Sequence, residues 1–74
     1  MRIQVQCHRG EPRTFRLGER WLHVISVLDR VAEDSLQRFR LLVADGREFV
    51  LRHDPRSGDW RLARVYAPRH HHPV

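Results

Sequence analysis

The feature that most limits the fold of this chain is a two-residue rhythm in its C-terminal half. Phe39, Leu41 and Val43 alternate with Arg38, Arg40 and Leu42, and Phe49, Leu51 and His53 with Glu48, Val50 and Arg52. Trp60, Leu62 and Tyr66 alternate in turn with Arg61, Ala63 and Val65. A period of two is that of a strand with one buried face. Asp45-Gly46 and Asp54–Asp59 cut the rhythm where turns are expected. The N-terminal part repeats the pattern. Ile3, Val5 and Cys7 point one way and Gln4, Gln6 and His8 the other, His8–Pro12 reads as a turn, and Phe15 and Leu17 resume.

Turn chemistry fixes the expected register. Gly18-Glu19 suits a two-residue type II′ hairpin, which sets Phe15 opposite Leu22 and Arg16 opposite Trp21, a guanidinium over an indole. A three-residue loop Ala44-Asp45-Gly46, with a left-handed glycine, pairs Leu41 with Phe49 and Phe39 with Leu51. A slip of one residue would expose that apolar set. With Asp54 facing Asp59, the inner face carries the row Phe39–Leu51–Leu62, and His53 packs on Trp60. The outer face then carries Arg38, Arg52 and Arg61 in one row, with Arg40 beside Val50 and Ala63.

Residues 21–33 are ambiguous. Val24, Val27, Leu28 and Val31 have helical spacing, whereas the β-branched Val24, Ile25, Val27 and Val31 favour a strand. A strand to about Leu28 is expected, followed by a connection or short helical turn over Arg30–Ser35. The whole is expected to be a mostly β, antiparallel meander of five or six strands in a small SH3-like or partly open barrel. The alternative is an α+β fold with a helix near 22–33. Residues 1–67 form the one domain that 74 residues allow, and 68–74, with His70-His71-His72, read as a flexible tail. An open barrel would leave an edge strand able to pair in a homodimer, and a closed one a monomer.

Chemistry-bearing motifs are missing. There is no glycine-rich phosphate loop and no paired cysteine, and no serine sits in a nucleophile elbow. No catalytic residue, metal site or cofactor is therefore expected, and the chain reads as a binding module rather than an enzyme. Cys7, the single cysteine, reads as a small buried thiol, and His8 and His23 as exposed. No apolar run could span a membrane, and no signal-like opening is present, so a cytoplasmic location is expected.

All 14 basic residues are arginine, and the net charge is +5. Two explanations compete: a GC-rich, thermophile-like genome that favours arginine codons and a solvated arginine surface, and phosphate recognition by guanidinium forks. On the second account Arg38, Arg40, Arg52 and Arg61 form a cradle for nucleic acid or an acidic partner, with Trp21 or Tyr66 as stacking surfaces. A protein-interaction module docking an acidic or apolar partner is the competing reading.

The pattern Arg38-Phe39-Arg40, Asp45-Gly46, Phe49-Val50-Leu51, Gly58-Asp59-Trp60-Arg61-Leu62 and Arg64-Val65-Tyr66 resembles a family of short bacterial domains of unknown function. Gly10-Glu11-Pro12-Arg13 and Trp21 through Val27-Leu28-Asp29-Arg30 extend the resemblance over about residues 1–67. A similar segment ends some ImuB-type, Y-family polymerase-like proteins of bacterial mutagenic repair. The resemblance implies a DNA-repair setting and a partner within a repair complex, and it assigns no site residue. The chain departs from the pattern in lacking a second aromatic near Val31 and in carrying Ala67 after the tyrosine.

Overall fold

The computed structural model describes residues 1–68 and contains seven antiparallel strands and no helix among them. They are β1 (Arg2–Ile3), β2 (Val5–His8), β3 (Glu11–Leu17), β4 (Arg20–Glu33), β5 (Leu36–Val43), β6 (Glu48–His53) and β7 (Trp60–Tyr66). They form one curled, partly open barrel in the order β1-β7-β6-β5-β4-β3-β2. The two ends of this order are consecutive in sequence. Arg2 and Ile3 pair with Arg61 and Trp60, whereas Val5 onward pairs with β3. Between them the Gln4 carbonyl accepts the Arg16 amide at 2.9 Å, so the first eight residues hold both ends of the sheet.

The core lies on the inner face. Phe15, Phe39, Leu41, Phe49 and Leu51 are fully buried, with Val43, Trp60 and Ile3 around them. The pairs Phe39↔Leu51, Leu51↔Leu62 and Leu41↔Phe49 are those that the turn chemistry predicts. Gly46, at φ +90°, donates its amide to the Val43 carbonyl at 3.0 Å, closing the three-residue loop. His53 stacks on Trp60 at 4.2 Å and meets Gln37 Oε1 through Nδ1 at 3.3 Å. The Gly18 hairpin has the expected register, Phe15↔Leu22 and Arg16↔Trp21. The Arg16 guanidinium, however, donates from Nε to the Gly18 carbonyl rather than covering the Trp21 ring.

Four bulges account for most of the other departures from simple alternation. Neither the helix near 22–33 nor a connection over Arg30–Ser35 forms, because β4 continues to Glu33 and turns on Asp34-Ser35 alone. Ile25 and Leu28 are extra residues in its ladder with β5, so the residues opposite the core positions Val43, Leu41 and Phe39 are spaced by three: Val24, Val27 and the exposed Arg30. That spacing imitates a helix while the backbone stays extended. Arg13 is likewise extra in β3. The expected His8–Pro12 turn shrinks to Arg9-Gly10, both at positive φ, and Pro12 is buried inside the strand. Its missing N–H costs little there, since β3 is paired only to β2 at that position. Cys7, expected to be buried, is exposed on the terminal strand β2. The fourth bulge, at Ala63, reshapes the outer face.

Val27–Glu33 of β4 pairs only with β5, so its other edge has no strand partner among the described residues. The Leu28 bulge and the charges of Asp29, Arg30 and Glu33 roughen that edge, the usual protection against unwanted pairing. The tail residues His70–His72 lie outside the described residues.

Candidate anion-binding face

Strand pairing carries the arginines of the outer face into rows. Arg38↔Arg52 and Arg52↔Arg61 are direct cross-strand pairs, as the sequence predicts. The short strand β1 extends the row by Arg2↔Arg61, giving four arginines abreast on four strands. Two residues along, Asp29↔Arg40, Arg40↔Val50 and Val50↔Arg64 form the next row. The row after that contains Leu42, Glu48 and Tyr66.

The Ala63 bulge decides who sits in these rows. Unbroken alternation would place Ala63 opposite Val50 and send Tyr66 inward with Leu62. The inserted residue instead sets Arg64 opposite Val50 and brings Tyr66 to the outer face opposite Glu48. Arg40 then meets both. Its Nε donates to Glu48 Oε1 at 2.6 Å, and its guanidinium carbon lies 4.5 Å from the centre of the Tyr66 ring. Arg64 donates from Nη1 to the Tyr66 hydroxyl at 3.2 Å. That hydrogen bond, with the charges of Arg64 and Arg40, lowers the phenol's pKa below its ordinary 10.0.

The charges are unevenly compensated. Arg2 pairs with Asp59 at 3.0 Å and Arg38 with Glu33 at 3.0 Å. Both pairs are largely solvated, so they restrain these arginines weakly. Arg52 and Arg61, exposed neighbours in the middle of the row, have no ion-pair or hydrogen-bond partner among the described residues. Like charges directly opposed on a sheet are destabilising. An anion seated between the two guanidinium groups removes that cost and gains charge-assisted hydrogen bonds.

The face is also hollowed. A depression of about 360 Å³ is lined by Arg38, Arg40, Arg52, Arg64 and Tyr66, with Val50, Ala63 and Asp29 completing it. A second, of about 290 Å³, lies where Arg52 and Arg61 meet Asp54, Ser57, Asp59 and Leu36. Of the residues singled out from sequence, Arg38, Arg40, Arg52, Arg61 and Tyr66 therefore share one face. Trp21 does not join them; it is partly exposed on β4, eight residues from Asp29, or roughly 25 Å along an extended strand. Sequence reasoning passed over Arg2 and Arg64. The first required knowing that β1 pairs with β7, and the second required the bulge.

Searches against protein-family models, curated proteins and solved structures find no match to this chain.

Proposed function

We propose that this domain is a non-catalytic binding module that grips the phosphate backbone of nucleic acid through the outer face of β5, β6 and β7. The observation that carries the reading is the direct opposition of Arg52 and Arg61, neither of them ion-paired among the described residues. Such a pair is an energetic liability in the free protein and a ready phosphate clamp in a complex. The resemblance of residues 1–67 to short bacterial domains and to a segment of ImuB-type proteins leads us to propose an accessory role in DNA repair. A second reading is favoured by the carboxylates already held at Arg38 and Arg40. On that reading the same face docks an acidic segment of a repair-complex protein.

Titration of labelled single- and double-stranded DNA and RNA at two salt concentrations tests the proposal. Binding is expected to weaken steeply with salt and to be lost on replacing Arg38, Arg52 and Arg61 together by Ala. Absence of binding at low salt, or unaltered binding by the triple variant, overturns it.

A further inference from the structure

Resting on the nucleic-acid reading, we infer that the face takes a single strand in preference to a duplex, laid along β6 and β7 over a footprint of about two phosphates. Phosphate ligands and a planar stacking surface occur on the same two-strand ladder. The opposed Arg52 and Arg61 come first, Arg64 follows beside Val50, and Tyr66 comes next with Arg40 over its ring. Successive outward positions on a strand are roughly 7 Å apart. That is of the same order as the distance between neighbouring phosphates in one nucleic-acid strand. One phosphate seated between Arg52 and Arg61 leaves the next within reach of Arg64. The small side chains Val50 and Ala63 keep the floor between them low. A base attached there meets the Arg40–Tyr66 stack, a surface that bases already stacked inside a duplex cannot use. The row beyond Arg64 carries Leu42, Glu48 and Tyr66 and no arginine, so the phosphate ligands end there and the footprint stays short.

The test is fluorescence anisotropy of the intact domain with oligothymidylate, a duplex of equal length, and an abasic oligodeoxynucleotide that keeps the phosphates. Oligothymidylate is expected to bind at least about fivefold more tightly than either competitor. Its logarithmic salt slope is expected near −1.4, about two phosphates at 0.7 each. The Arg52→Ala/Arg61→Ala variant should reduce that slope by roughly half, and Tyr66→Leu should bring oligothymidylate down to the abasic level. Equal binding of all three oligomers by the wild-type domain overturns the single-strand inference while leaving phosphate binding intact. A slope several times steeper overturns the short footprint. Binding of none of them at low salt overturns the underlying reading as well.

Discussion

Arg40 places its guanidinium 4.5 Å from the centre of the Tyr66 ring, two side chains that unbroken alternation would have put on opposite faces of the sheet. The inserted Ala63 makes the meeting possible, and Arg64 completes it by donating to the phenol oxygen. Tyr66 is the single tyrosine of the chain, so its ionisation can be followed by ultraviolet absorbance alone. The phenol is expected to ionise below the ordinary 10.0, and Arg64→Ala should move the transition back up. An unshifted transition in the wild-type protein would contradict the described geometry.

Relief of the Arg52–Arg61 opposition should separate stability from binding. Arg52→Gln is expected to raise the free energy of unfolding at low salt by about 0.2–1 kcal/mol. The gain should shrink as salt screens the pair, while nucleic-acid affinity falls. Urea melts at two ionic strengths, run beside the binding titration, decide this.

At the centre of the inner row, Leu51 is fully buried between Phe39 and Leu62. Leu51→Ala should cost about 2–5 kcal/mol in chemical denaturation, because a cavity opens where three strands meet. Leu28→Ala should cost far less, since Leu28 is an exposed bulge residue. Equal losses at the two positions would contradict the bulged register of β4.

Gly46 couples backbone and packing. Its φ of +90° is one that side-chain-bearing residues rarely adopt, and an added Cβ would come within 3.2 Å of the Pro68 ring. Gly46→Ala is expected to destabilise the domain by about 1–3 kcal/mol, read as a lowered urea midpoint. Gly18→Ala meets backbone strain alone, with no atom near its Cβ, and should cost less.

The same turn gives a pH dependence. Asp45 accepts the Arg47 amide at 2.9 Å and its Nε at 2.6 Å, and the backbone hydrogen bond leads in lowering its pKa below 3.8. A depressed carboxylate stabilises the fold above the unfolded-state pKa and loses that contribution as pH falls through the folded-state value. Melts of the wild type should therefore weaken from about pH 4 downward. Asp45→Asn should start weaker at neutral pH and show a shallower decline.

Strand rhythm and turn chemistry together made the C-terminal meander legible. With Gly46 in the left-handed position and Asp54 facing Asp59, Phe39, Leu51 and Leu62 can occupy only one face, and the arginine row follows from those two turns. Bulges were not legible in this way. A single inserted residue carries no compositional mark, and at Ile25 and Leu28 the insertions produced the three-residue spacing that a helix would also show. The Ala63 insertion hid Arg64 and turned Tyr66 outward. Arg2 was hidden for another reason, since its pairing with Arg61 joins residues from opposite ends of the described chain.

That last pairing makes the two ends of the sheet interdependent. In an open ladder either terminal strand can peel away while the rest persists. Here Leu62 donates its amide to the Met1 carbonyl at 2.7 Å, and three residues later the same segment is bound to β3. Detaching β7 therefore loosens the clasp on β3, so the seam behaves as one cooperative unit and not as two independently fraying margins. The arginine row crosses that seam between Arg61 and Arg2, and a polyanion lying across it would act as a suture.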